Sequence, residues 1–354
     1  MTQAMSPTDH AAQRLAVYLS GLSGPADPPL AARRPEPDLV VCGACETGPH
    51  IFRRHAGRVP PLDRRGVLYQ SYIRPTQAMV RAVDPDAVFA IYPGDSRSRF
   101  AFPAFVKSRL VADRDAPLAL LPLDHKRHWR DLAEVDRVDI PFRQKSNRLV
   151  WRGATTGAFK TFGGAIPYSA RFHVATLPPH PAFDIGYSQI VQITPEHSDH
   201  PIEALRPLVR PPLSLAQQLG AKYLLSLEGN DVATGLKWML HSNSTVIMPP
   251  PTCETWACEG ELVPFEHYVP VRHDLADLTE VHAWCEANPE TCEAIAHNGR
   301  AFIARFSDPG VERDLCRSVV GRYLQVTSLN LSFSRWQRLA QLPTRLAARF
   351  SPGA

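Results

Sequence analysis

Residues 222–274 constrain the fold of this chain more than any other stretch; they read KYLLSLEGNDVATGLKWMLHSNSTVIMPPPTCETWACEGELVPFEHYVPVRHD. The apolar run 223–227 spells a short buried strand, 232–240 spells a helix, and 244–248 spells a second buried strand. Three prolines at 249–251 end that strand, because proline cannot extend a sheet ladder. Strand, turn, helix and strand in this order form a βαβ unit, which builds a parallel sheet. The chain is therefore expected to be α/β.

Open α/β sheets bind ligands beyond the carboxyl ends of their strands. Here that edge carries Glu228, Gly229, Asn230 and Asp231. Gly229 permits a tight turn or a close backbone approach. Asn230 or Asp231 is expected to cap the following helix, leaving free N–H groups that suit a phosphate. Lys237, on the same helix, adds a positive charge, and Glu254 and Trp256 follow the prolines. Strand, glycine turn and helix recur throughout α/β proteins, so spacing alone does not specify the ligand.

A second constellation lies upstream: SNRLVWRGATTG at 146–157, then SARF at 169–172 and FDIGY at 183–187. Residues 149–151 read as a strand and Gly153 opens the turn after it. Thr155, Thr156 and backbone N–H groups supply neutral donors beside Arg152, whose planar guanidinium matches phosphate oxygens. The competing reading makes Trp151 a core residue and Arg152 half of a surface ion pair.

These blocks, with ETW at 254–256 and HYVPVRHDLADL at 267–278, resemble glycosyltransferase family 90. That group contains protein O-glucosyltransferases, capsule-associated proteins and bacterial lipopolysaccharide-modifying transferases. The resemblance spans about 87–324 and is strongest from 149 onward. It implies an inverting, metal-independent transferase of GT-B-like architecture, with two Rossmann-like domains facing a cleft. Residues 1–145 would form the acceptor-side domain, 146–328 the nucleotide-sugar-binding domain, and 329–354 a basic amphipathic tail. The implied donor is a nucleoside-diphosphate sugar such as UDP-glucose or UDP-xylose, with no cofactor or metal. The implied acceptor is a hydroxyl of a bacterial lipopolysaccharide or capsular glycan.

Donor-binding residues carried over by the resemblance are Trp151, Arg152, Gly153, Thr155, Thr156, Arg171, Glu228, Gly229, Asn230, Asp231, Lys237 and Glu254. Arg152, Arg171 and Lys237 would balance the departing diphosphate, and Glu254 would accept from ribose hydroxyls. Eukaryotic members carry an arginine near the position of Gly235, where this chain offers only Lys237. The family also places the base that deprotonates the acceptor just after a strand of the first domain. The run AVFAIY at 87–92 is that strand and Asp95 the matching carboxylate. Two alternatives remain: Asp95 as a turn residue satisfying its own backbone, and Asp124, in LPLDHKRHW, as the base.

At 354 residues the chain exceeds the size at which one core usually keeps growing, which favours two domains. A net charge of +4, with arginines dispersed among acids, gives no concentrated basic face for nucleic acid. The start lacks a secretory pattern, and no stretch is long and apolar enough to span a bilayer, so a cytoplasmic location is expected. Seven cysteines then favour free thiols, although Cys42 and Cys45 form a CxxC that also fits half a zinc site or a redox pair. Leucines, Phe333 and Trp336 interleave with arginines over 329–350. That pattern suits a peripheral inner-membrane contact toward a lipid-linked glycan, or a helix crossing back onto the first domain. A non-catalytic nucleotide-sugar-binding protein and a CxxC redox or zinc protein stand as the alternative functions.

Overall fold

The computed structural model describes residues 7–22, 40–44, 52–53, 69–95, 97, 102–123, 131–161, 163–164 and 167–327. The tail at 329–354, Asp124 and Cys45 lie outside the described residues. In chain order the strands are β1 (Val40–Gly43), β2 (Phe52–Arg53), β3 (Val88–Tyr92), β4 (Ala104–Val106), β5 (Ser108–Leu110), β6 (Leu118–Leu120), β7 (Ser146–Ala154), β8 (Phe183–Gln189), β9 (Ala221–Leu225), β10 (Thr245–Met248), β11 (Cys253–Thr255) and β12 (Val269–Pro270). They form two five-stranded sheets, β2-β1-β3-β4-β6 and β12-β10-β9-β7-β8, and a two-stranded ribbon, β11-β5. The second sheet is parallel throughout. In the first, β3, β4 and β6 run parallel while β1 pairs antiparallel with both β2 and β3.

The strand interiors are continuous apolar runs because both sheet faces are covered. Phe89, Ala90 and Ile91 in β3 are fully buried, and so are all four residues of β10. Alternation along the second sheet divides its side chains between two cores. Leu149, Trp151, Tyr223, Leu225 and Ile247 face one. Val150, Leu224, Val246 and Met248 face the other, which is continuous with the core of the first sheet. The helix Pro309–Val326 returns to that first sheet: Tyr323 packs on Phe105 with ring centroids 4.1 Å apart. Its hydroxyl accepts from Ala90 N at 3.0 Å and donates to Pro103 O at 3.1 Å. A helix ahead of the tail thus crosses back onto the first sheet; the crossing expected of 329–354 itself falls outside the described residues.

The helix expected at 232–240 is observed only over Leu236–His241, with Gly235 at its N-cap. The expected caps are used elsewhere. Asn230 Oδ1 accepts from Gly157 N at 3.0 Å, and Asp231 Oδ2 accepts from Ser108 Oγ at 2.7 Å. Tertiary partners thus outcompete a local capping preference and hold 229–235 as an open turn.

Candidate functional site

Because β7, β9 and β10 are parallel, their carboxyl ends open on one edge, where Thr155–Thr156, the 226–231 turn and Pro249 emerge. The carboxyl ends of β3 and β4 deliver Asp95 and Lys107 from the first sheet. The two edges meet: Lys107 Nζ pairs with Asp95 Oδ1 and, at 2.8 Å, with Asp231 Oδ2. Arg97 makes a second crossing, donating to Glu228 Oε2 at 2.8 Å and to the carbonyl of Asn230 at 3.2 Å. Glu228 Oε1 also accepts from the backbone N–H groups of Thr252 and Cys253, so this carboxylate ties the turn to the loop after the prolines. A small solvent-open pocket lies alongside, lined in part by Ala170, Ser226, Glu228, Met248, Pro250 and His273.

Arg171 is the cation of the turn. Ser169 caps the short helix that carries it, accepting from Arg171 N at 3.3 Å. The guanidinium donates to Leu227 O at 2.9 Å, Ala154 O at 2.9 Å and Thr156 Oγ1 at 2.7 Å, stitching the ends of β7 and β9 together. Among the described residues these acceptors are all neutral, so the positive charge lacks a carboxylate in direct contact. Burial pushes its pKa down to about 10, with Asp231, Tyr187 and Glu228 acting in the other direction. A half-buried cation with no carboxylate in contact favours an arriving anion. Gly229 is required here, since a Cβ would collide with Thr156 Oγ1 and lie 3.1 Å from Arg171 Cζ. Gly157, at φ +102°, takes a backbone conformation open to glycine.

Other expected donor residues are held differently. Arg152 donates to Asp184 Oδ1 at 2.6 Å, Asp184 O at 2.8 Å and Pro211 O at 3.0 Å, so its fork is occupied at the β7–β8 edge. Trp151 is 2% exposed and packs edge-on against Tyr187, as a core residue does. Gly153 gives its ring room: a Cβ there would run into Trp151. Thr155 exchanges hydrogen bonds with Val191 and is fully buried.

Lys237 is 1% exposed; its ammonium pairs with Glu259 and lies 5.9 Å from the Trp256 ring centroid. Glu254 is fully buried and accepts from Arg109 Nε at 3.0 Å and Arg114 Nη2 at 2.6 Å across the β5–β11 ribbon. Neither group is presented to solvent. Cys42 is buried in β1, and burial pushes its thiol pKa up, away from the thiolate that metal or redox chemistry needs. Among the described residues no group of three His, Cys, Asp or Glu side chains is arranged to hold a metal.

Lys107, Ser108 and Arg97 escape the sequence reading. Their significance lies in contacts more than 120 residues away along the chain, with Asp231, Asn230 and Glu228. The one local signal is a KSR triplet set between two apolar strand segments.

Parallel strands ending on a shared edge, an anion-ready turn there, and a carboxylate facing it from another sheet define an α/β protein with a ligand cleft at its strand ends. Comparison with known proteins specifies the class. The model of glycosyl transferase family 90 matches residues 200–308, which include the 226–231 turn. The O-glucosyltransferase LpsA of Dichelobacter nodosus is 36% identical over 256 residues, covering 72% of this chain and 73% of the relative. Uncharacterized protein 027R of Frog virus 3 (isolate Goorha) is 39% identical over 98 residues, 26% of this chain and 10% of that protein. The chain belongs to glycosyltransferase family 90 and is a glycosyltransferase.

Proposed function

We propose that this enzyme transfers a sugar, with inversion, from a UDP-sugar to a hydroxyl of a bacterial lipopolysaccharide or capsular glycan, without a metal. The observation that carries this reading is the half-buried guanidinium of Arg171, which among the described residues bonds only neutral acceptors beside Gly229, in a strand-end turn that Lys107 ties through Asp231 to Asp95. Asp95 takes the proton of the acceptor hydroxyl as its oxygen bonds to the anomeric carbon. The bond from that carbon to the diphosphate breaks, and the nucleoside diphosphate leaves with the electron pair. Arg171 and the backbone N–H groups of the turn balance the charge that develops on the leaving group.

The relative's name, O-glucosyltransferase, supports glucose as the sugar and an oxygen as the acceptor. In this reading the architecture is GT-B-like. The first unit is 1–145 with the helix Pro309–Val326 laid back onto it, and the second is the parallel sheet from 146 onward. Among the described residues no helix is long and apolar enough to cross a membrane; contact with a lipid-linked acceptor would be peripheral and fall to the tail. Calorimetric titration with UDP, UDP-glucose, UDP-xylose and UDP-galactose, with and without chelator, tests the donor site. Chelator-insensitive UDP binding is expected; binding that requires an added divalent ion would overturn the metal-free assignment.

A further inference from the structure

Lys107 is the point where the two strand edges touch. It follows β4 directly, and its side chain is 3% exposed. Its ammonium lies between Asp95, whose side chain is 30% exposed, and Asp231, which is 6% exposed. One carboxylate is thus partly open to solvent, the other is nearly sealed, and a single cation serves both. Two carboxylates this close to each other resist joint ionisation unless a positive charge is shared between them. Burial works against the Lys107 charge, but Asp231, Tyr72 and Asp95 together hold it protonated.

Among the described residues, Lys107 is the cation paired with Asp95. Ser108 Oγ donates to Asp231 Oδ2 at 2.7 Å, and the Tyr72 ring centroid lies 6.0 Å from Lys107 Nζ. Arg97, two residues beyond Asp95, is drawn to Glu228 at 2.8 Å. Arg171 bonds Leu227 O, Ala154 O and Thr156.

We infer that Lys107 is a positioning residue for the transfer proposed above. It grips Asp95 by one oxygen, leaving the other for the acceptor hydroxyl, and through Asp231 it anchors that base to the turn that holds the donor. The inference rests on Asp95 being the base. A buried lysine shared between the two sheets does more than close a gap in the core: it sets where the base stands relative to the donor.

The test compares wild type, Lys107→Met, Lys107→Met/Asp231→Asn and Asp95→Asn. Each is assayed as UDP release from whichever of UDP-glucose, UDP-xylose and UDP-galactose wild type turns over fastest. The double variant removes the lone buried carboxylate that Lys107→Met would leave, so it keeps the test open where the single variant fails to fold. The expected result is a kcat about a hundredfold lower, the scale of a misplaced reacting group, with the donor KM little changed.

Calorimetric titration should give UDP the same affinity in wild type and in both Lys107 variants; this readout needs no turnover. A folded double variant with wild-type kcat, or one that loses UDP affinity in step with kcat, overturns the inference. Full activity of Asp95→Asn overturns instead the proposed base, and is recognised separately because Lys107 is intact in that variant.

Discussion

At the scale of single residues, charge and exposure sort the cations of this protein into different jobs. Arg171 donates only to neutral acceptors among the described residues, so its charge is available to a diphosphate. Replacing it with methionine should weaken UDP binding by about 1.5–3 kcal/mol, the range for a hydrogen bond to a charged group, as read by calorimetry. Lys237 is sealed against Glu259, so Lys237→Met should act on the fold. Thermal unfolding should show a loss of about 3–5 kcal/mol from the stranded carboxylate, with UDP affinity of the folded protein unchanged. The reverse pattern would return Lys237 to the donor site.

Asp95 and Arg171 were recognisable as candidates in the sequence because each follows a distinct strand or motif. Lys107 was not, because its meaning comes from Asp231, far away in the chain. Trp151 and Thr155 look alike as functional or core residues until burial is known, and here both are buried.

At the scale of elements, the strands were readable and the connections between them less so. The runs at 87–92, 149–151 and 244–248 contain or overlap β3, β7 and β10, since buried strands announce themselves as apolar runs. The helix start was misplaced because Asn230 and Asp231 serve Gly157 N, Ser108 and Lys107. The β5–β11 ribbon was invisible in advance: its register sets Glu254 opposite Arg109, two short segments with no local pairing signal.

That ribbon yields a prediction. Glu254→Ala leaves Arg109, fully shielded from solvent, without its carboxylate. Unfolding measurements should register a loss of about 3–5 kcal/mol. A melting temperature equal to wild type would remove the ribbon from any part in joining the two strand edges. The Gly229 turn is as unforgiving in another way. Gly229→Ala should disturb Thr156 and Arg171 and weaken UDP binding, while circular dichroism reports an intact fold.

At the scale of the whole molecule, several independent connections hold the two sheets in one arrangement. Lys107–Asp231 and Arg97–Glu228 cross at the cleft, the ribbon crosses beside them, and Pro309–Val326 returns to the first sheet. Tyr323 makes that return specific through its bonds to Ala90 N and Pro103 O. Tyr323→Phe orphans the buried Ala90 N–H, and chemical denaturation should show a loss of about 1–3 kcal/mol. The family and the α/β class could be read from the chain alone, because motif wording and apolar periodicity are local. How the sheets face each other could not, because it depends on side chains far apart in sequence.

The most direct test is to measure UDP binding and UDP-sugar turnover side by side in wild type and Asp95→Asn. A base that touches only the acceptor predicts UDP affinity within about twofold of wild type and turnover lower by about 10²–10⁴-fold. Equal turnover in the two proteins, or loss of UDP binding in Asp95→Asn, would contradict a cleft in which Asp95 activates the acceptor and the Arg171 turn holds the donor.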